Sequence, residues 1–549
     1  MKTWTPNIAS TVLFLRSLLA QEAFESPGFD IAEALLVNGV DISIIPELAN
    51  RSAEASTCFC SVSTLQVQLT SRCSHHIQCQ PLQRIFGNEK VEHREALTYN
   101  MTMNNFWAVQ QREIRPSCIF RPDKALDVST LILLSRLMQC PFAVKSGGHA
   151  TFTGASSVDG GITVLFERMK QLTLSEDKKI ASIEPGNLWY DIYKTLEKDN
   201  LTVAGGRVGD IGIGGLTTGG GISWFANQRG WACDNVASYE VVTASGRIVT
   251  ATPTELPDLY WALRGGGNNL GIVTKFNLET FPHGLMLGGR RVFAEPSFPA
   301  AIDAFVNLGR NAAVDPKAAY YMAAILHGTS KLLMSELMYT DPILDPPILE
   351  EYHNISTISA APQINTLAYF TQELQERNPT GYRDTFWTAS CRLDRDMVKF
   401  ITDVAFEEFD KLRDVANILP ASIFQVITVP QLEHMQKNGG NALGLSPSDG
   451  PILLFSLSSR WSNIKDDDLV LKVNANIVKR MQAEAKRRDL AIDYLYMNYA
   501  SQFQDVISSY GKNAEKLRRI ALKYDPTGVF QKLQPGYFKL HGPPNPIWP

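Results

Sequence analysis

The residues best placed to do chemistry begin at Lys145-Ser146-Gly147-Gly148-His149-Ala150, where the apolar run Phe142-Ala143-Val144 stops at two glycines and a histidine. Glycine has no Cβ, so Gly147 and Gly148 can take backbone angles closed to other residues and turn several amide N–H groups into one small space. A concave group of N–H donors suits an anion, most often a phosphate. His149 then sits beside whatever carries that phosphate; the alternative is an ordinary strand-to-loop turn with a solvated histidine, and only the surroundings can choose.

Two further glycine groups follow. One runs through Gly205, Gly206, Gly209, Gly212, Gly214 and Gly215 to Gly219, Gly220 and Gly221, and the other is Arg264-Gly265-Gly266-Gly267-Asn268-Asn269-Leu270-Gly271-Ile272-Val273. Each glycine costs a helix about 1 kcal/mol relative to alanine, so the 205–221 tract reads as tight turns in close approach to a ligand. It fails the dinucleotide fingerprint of a nicotinamide fold, because Thr217 stands where the third glycine belongs. Three glycine turns, each beside a strand, converge more economically on one extended ligand than on three.

The elements that must hold these turns are legible from periodicity. The strand-like 117–120 is bracketed by Pro116 and Pro122, and Leu126, Val128, Leu131, Ile132, Leu134 and Leu137 fall at helical spacing over 125–138, predicting a helix packed on one face. Strand, helix, strand and glycine turn within a short span make an α/β unit, and ligands in such layered folds collect at strand ends. Short strands are expected at 160–164 and 180–184 and a helix at 188–197. From 285 to about 480, strand-like stretches rich in aromatics (319–322, 332–339, 385–393, 451–461) alternate with helical ones such as 396–415, predicting a second domain whose open sheet face forms a pocket wall. A charged helix at 512–524 is stopped by Pro526 and Gly528.

At 549 residues the chain exceeds what one core supports, so two domains are expected. A net charge of −4 gives no footprint for nucleic acid or an anionic membrane, which leaves a small molecule as the partner. The stretch 1–20 resembles a signal peptide and is too short and interrupted to span a membrane, and sequons at Asn50, Asn100, Asn200 and Asn354 fit a secretory or secreted protein. Cys58, Cys60, Cys73, Cys79 and Cys118 crowd the N-terminal part, with Cys140, Cys233 and Cys391 beyond it, an even total that reads as local disulfide stapling. The segment from Cys73 to Cys79 with His75 and His76 matches no standard zinc spacing, so no metal is expected.

Taken together, the Ser-Gly-Gly-His turn, the 205–221 tract, the 264–273 run, Tyr496-Met497-Asn498-Tyr499 and Lys523-Tyr524-Asp525-Pro526-Thr527-Gly528-Val529-Phe530 resemble the berberine-bridge-enzyme-like branch of FAD-linked oxidases with a vanillyl-alcohol-oxidase or para-cresol-methylhydroxylase type of FAD domain. The resemblance runs from about Cys79 to Leu540, and the 438–445 run is most like fungal members that oxidise secondary metabolites. It implies an α+β, two-domain protein: a lead-in at 21–79, an FAD domain split between 80–284 and 490–549, and an inserted substrate domain at 285–489.

By position, His149 matches the histidine bonded covalently to the flavin 8α-methyl. Ser146, Gly147 and Gly148, flanked by Lys145 and Ala150, match the pyrophosphate loop, and Gly209, Gly212, Gly214, Gly215, Gly220, Gly271, Ile272 and Val273 match other walls of the FAD cleft. Many members carry a second tether, a cysteine, where this chain has Val208, and Cys233 is too distant along the chain to substitute; a single link through His149 is expected. Tyr499 is the implied base, Tyr496 and Asn498 line the ring end, and Gln425 is a further pocket candidate. A tyrosine serves as a base only where a positive charge or hydrogen bond stabilises its phenolate. Cys79 and Cys118 are the implied disulfide. The implied reaction passes a hydride from a small organic substrate to flavin N5, with dioxygen reoxidising the flavin to give hydrogen peroxide. A carbohydrate oxidase, or a cyclase in which FAD is only structural, remain the alternatives.

Overall fold

The computed structural model describes residues 24–45, 47–48 and 79–549. The expected leader, Asn50 and the segment holding Cys58, Cys60 and Cys73 lie outside them. No helix among the described residues is long and apolar enough to cross a membrane.

The chain builds three sheets. The first joins β1 (Val91–His93), β2 (Cys118–Phe120), β3 (Phe142–Lys145) and β4 (Ile162–Leu165) in the order β1-β2-β4-β3, with β2, β4 and β3 parallel. Parallel strands need a crossover connection, and the helix Ala125–Met138 supplies it between β2 and β3. Its ends fall where the apolar spacing puts them. The expectation of burial on one face is corrected, however: all but a few of its residues are buried, Asp127 and Arg136 included. The reason lies in the lead-in, which covers the outer face. Asn38 donates to Ser129 Oγ at 2.8 Å, and Arg136 pairs with Glu25 at 2.8 Å while lying over the Phe29 ring. The Cys79–Cys118 disulfide forms as the family pattern implies and ties this lead-in to β2.

The second sheet is antiparallel and joins β5 (Leu172–Leu174), β6 (Ile180–Ile183), β10 (Ile272–Pro282), β8 (Val236–Val242) and β9 (Ile248–Ala251) in that order, with β7 (Leu201–Val203) on the far end of β10. The glycine tract was expected to contain no helix. Instead Ile213–Thr218 forms a short one, in which a Cβ on Gly214 would press on Ser146 while Gly215 faces open space.

The third sheet runs β14 (Ser359–Ala360), β11 (Leu285–Phe293), β13 (Ser330–Tyr339), β12 (Ala318–His327), β17 (Leu419–Ile427), β18 (Ile452–Trp461), β16 (Arg383–Arg392) and β19 (Ala491–Ile492), with β15 (Gln363–Thr366) also on β11. Successive side chains on a strand point to opposite faces. Phe424, Phe455 and Leu457 accordingly sink into a core shared with the helices Arg395–Phe409 and Asp467–Arg487, while Ile423, Gln425, Ser456 and Ser458 face the other way, into a cleft.

A buried ion pair pins the third sheet's loops to the second. Arg264 Nη2 meets Asp234 Oδ1 at 3.0 Å, both side chains fully buried, and the remaining guanidinium donors reach the carbonyls of Cys233, Lys437 and Gly440. Asp234 also accepts from Trp231 N and Asn441 Nδ2. Removing one member strands the other's charge in the interior, a cost of about 3–5 kcal/mol. Asp234→Ala should therefore lower the thermal midpoint by several degrees, measured by calorimetry; a midpoint unchanged within error would show the pair to be dispensable.

Candidate active site and its cofactor cleft

The strand β3 delivers its end to a crossing of two glycine loops. Gly147 and Gly212 lie backbone against backbone, and a Cβ on either would overlap the main chain of the other. Ser146 Oγ seals the crossing, accepting from Gly214 N at 3.1 Å and donating to Pro185 O at 2.6 Å. Gly148 adopts φ of 74°, the left-handed region that favours glycine. Among the described residues, the amides of Gly147, Gly148, His149 and Ala150 donate to no protein acceptor. Four successive N–H groups without a protein partner in one turn are suited to receiving an anion.

The turn opens onto a cleft of about 390 Å³ between the glycine loops and the third sheet. Most residues expected at the site meet here: His149, Ser146, Gly147, Gly148, Ala150, Gly212, Gly214, Gly215, Gly271, Ile272, Val273, Gln425, Tyr496, Asn498 and Tyr499 all line it. Lys145, Gly209 and Gly220 do not. Strand alternation turns Val144 to the cleft and Lys145 away from it, where Nζ donates to Asn105 O at 2.6 Å above the Phe106 ring and burial pushes its pKa down to about 8. Gly209 donates to Thr371 O and packs on Tyr190 and Gln375, and Gly220 lies beneath Trp231, behind Tyr496.

His149 is clamped on two sides. Trp107 stacks on its ring at a centroid distance of 4.1 Å, and its Nε2 faces Asp210 Oδ1 at 3.4 Å. Val208 lines the cleft, whereas Cys233 is buried in the core away from it. At the opposite end Tyr496 and Tyr499 meet edge to face at 4.7 Å. The Tyr496 oxygen accepts from Gly221 N, Ile222 N and Asn498 Nδ2 at 3.0–3.2 Å, and burial, outweighing these donors, raises its pKa. The Tyr499 oxygen instead accepts from Arg207 Nη2 at 2.5 Å.

Arg207, Trp107, Asp210, Tyr321 and Phe386 were not anticipated. A long cation inside a glycine tract was the one available signal, for Arg207; the others depend on contacts between distant segments.

A family model described as an FAD binding domain matches residues 116–252, and one described as berberine and berberine-like matches 495–535. An FAD-dependent monooxygenase, tpcD, of Cochliobolus heterostrophus is 37% identical over 79% of this chain and 87% of its own length. The chain belongs to the berberine-bridge-enzyme-like FAD-dependent oxidoreductases. Among its family relatives, the bifunctional solanapyrone synthase of Alternaria solani is 32% identical over 77% of this chain and 82% of that protein. Of solved structures, 6-hydroxy-D-nicotine oxidase from Arthrobacter nicotinovorans superposes with a TM-score of 0.66 at 18% identity, covering 80% of this chain and 96% of that one. The xylooligosaccharide oxidase of Myceliophthora thermophila reaches 0.65 at 21% identity, covering 83% and 98%.

The cleft fits the FAD that this family uses. Four amides of the turn have no protein acceptor among the described residues, and no aspartate or glutamate is among those that line the wall to repel a pyrophosphate. Gly212→Ala forces a Cβ into the Gly147 backbone, so this variant should purify with little flavin, read from the ratio of absorbance at about 450 nm to that of the protein. Full flavin occupancy would show that the crossing yields.

Proposed function

We propose that the protein is an FAD-linked oxidase of a small, secondary-metabolite-like organic substrate, with the flavin held covalently through His149 alone and Tyr499 as the proton acceptor. When bound, FAD would supply the two-electron redox chemistry, as hydride acceptor from the substrate and electron donor to dioxygen, with hydrogen peroxide as the second product. The observation that carries this reading is the contact between Arg207 and Tyr499. A phenol works as a base only where its anion is stabilised, and a guanidinium donating to the oxygen is such a stabiliser.

The remaining residues orient. Asp210 Oδ1 lies 3.4 Å from His149 Nε2 without a hydrogen bond between them, and Trp107 fixes the ring plane. Lys145, Gly209 and Gly220, outside the cleft, support the loops rather than touch the cofactor. Ser146, Gly147, Gly148 and Ala150 hold the pyrophosphate, and Val208 fills the place of the second tether without bonding. Tyr496 and Asn498, locked to each other and to Leu216 O, support the ring end of the cleft. Gln425 faces the substrate from the sheet. Passage through the secretory pathway is supported by the disulfide and by Asn100, Asn200 and Asn354, each an exposed sequon asparagine.

The relatives named monooxygenases favour a second reading, in which an oxygen atom enters the product. Turnover under isotopically labelled dioxygen separates the two: peroxide carries the label in the first reading and product in the second. Anaerobic mixing with a panel of aromatic and alcohol substrates should bleach the flavin band; product without bleaching would favour the cyclase. Tyr499→Phe should slow that bleaching by about 100- to 10,000-fold with flavin content unchanged. His149→Ala should show no flavin mass on the unfolded chain, and a retained adduct would place the tether elsewhere.

A further inference from the structure

A second cavity, of about 230 Å³, lies on the seam between the second sheet and the third. One wall is the end of the β7–β10 ladder. His283 N donates to Asn200 O at 3.0 Å and Thr202 stands opposite Phe281, so strand alternation puts the Thr202 and His283 side chains on one face. The other wall is Gly284 and Leu285, where β11 begins, with Thr366, Leu367 and Ala368 at the start of the helix Leu367–Glu376. Three polar atoms of the lining are buried with no hydrogen-bond partner among the described residues: Thr202 Oγ1, on a residue 2% exposed, His283 Nε2 and Glu197 Oε2. Burial pushes the His283 pKa down to about 4, so its ring is neutral and can accept or donate. Buried polar atoms are normally paired, so this set is incomplete without an occupant that carries hydroxyl or amide groups. Leu201, Leu285, Leu367 and Ala368 supply apolar surface for the body of the same molecule.

The chain itself offers a place to attach one. Asn200 lines the cavity, is exposed, holds a left-handed backbone at φ 53°, and heads Asn200-Leu201-Thr202, the acceptor pattern for an N-linked glycan. Asn100 and Asn354, the other exposed sequon asparagines, do not line this cavity. We propose that Asn200 carries an N-linked glycan whose first N-acetylglucosamine is seated in this cavity, with its hydroxyl and acetamido groups bonded to Glu197, Thr202 and His283 and its ring against the leucines. This rests on the reading that the chain passes through the secretory pathway. There the oligosaccharide is transferred from a lipid diphosphate donor: the bond from sugar C1 to the phosphate oxygen breaks, the bond from C1 to Asn200 Nδ2 forms, and the amide proton leaves with the lipid diphosphate. Seated so, the sugar joins the second sheet to the third. It also braces the helix Leu367–Glu376, which carries Leu374 to the wall of the flavin cleft and whose Thr371 O receives Gly209 N.

The test uses the full, flavin-holding chain secreted from a yeast host, with mass analysis of its peptides. Asn200 should carry a glycan. Peptide N-glycosidase F, which cuts between asparagine and the first sugar, should release that glycan from the native protein at least about tenfold more slowly than from the denatured chain, because the link is reached only when the local structure opens. Endoglycosidase H leaves the first sugar in place and should move the thermal midpoint by no more than about a degree, whereas Asn200→Asp, which keeps a residue tolerant of left-handed backbone, should lower it by several degrees. The same substitution in protein made without glycans in a bacterial host should leave the midpoint unchanged, which separates the sugar from the side chain; should that protein not fold, the release rates decide. Equal release from native and denatured chain, or a midpoint indifferent to the first sugar, would overturn the proposal. An unmodified Asn200 beside an occupied Asn100 or Asn354 would overturn it and leave the secretory reading standing, and bare asparagines at all three would end both.

Discussion

The contact on which the site depends is made by two residues with nothing to contribute but the absence of a side chain. Gly147 and Gly212 press main chain against main chain, beside the bond from Gly214 N to Ser146 Oγ. The amides of Gly147 to Ala150 have no protein acceptor among the described residues, and these residues line the cleft. Ser146, bonded to both Gly214 and Pro185, keeps the packing from sliding. It also explains why a helix survives in glycine-rich sequence: six residues of α-helix are held from outside, by Ser146 at one end and by Asn498, which donates to Leu216 O.

The opposite wall is built on a different principle. The third sheet is held over the cleft by buried polar contacts that span the chain, of which the Arg264–Asp234 pair is the most enclosed. Buried ion pairs contribute little net stability when fully satisfied, because desolvation offsets most of the attraction. What this one supplies is position: its carbonyl partners at Lys437 and Gly440 fix the loop after β17, and β17 carries Gln425. Apolar packing would have tolerated a sliding sheet. Directional bonds do not.

Local pattern carried much of this into the sequence. The 3.6-residue spacing of Leu126 through Leu137 and the Pro141 after it determine the helix ends within the segment itself, and the same holds for Lys512–Tyr524. The turn at 146–149 was ambiguous by itself and became legible only beside the other glycine turns and the C-terminal elements. What stayed hidden was set by distance along the chain. The full burial of Ala125–Met138 depends on Glu25 and Asn38, and the Arg207–Tyr499 contact joins residues 292 positions apart. Lys145 was misplaced for a local reason: the residue next to a phosphate loop is attractive as a ligand, yet the two-residue alternation of β3 had already turned it away.

The two tyrosines of the C-terminal element show how far residue type alone can mislead. Tyr496 and Tyr499 stand three positions apart, touch each other and line one cleft. A phenol oxygen has two lone pairs, and the Tyr496 oxygen already receives three neutral donors while its ring is sunk against Trp231. It has neither a free site for an incoming proton nor a charge to favour losing its own, so its environment makes it a structural pin. The Tyr499 oxygen receives one donor, and that donor is a cation. The difference traces to position on a single 3-10 turn, Met497–Tyr499, which directs one ring down into the glycine tract and the other out toward Arg207 and Phe386. The two phenols therefore differ by the neighbour each meets, and the turn that separates them sets that difference as much as the residue type does.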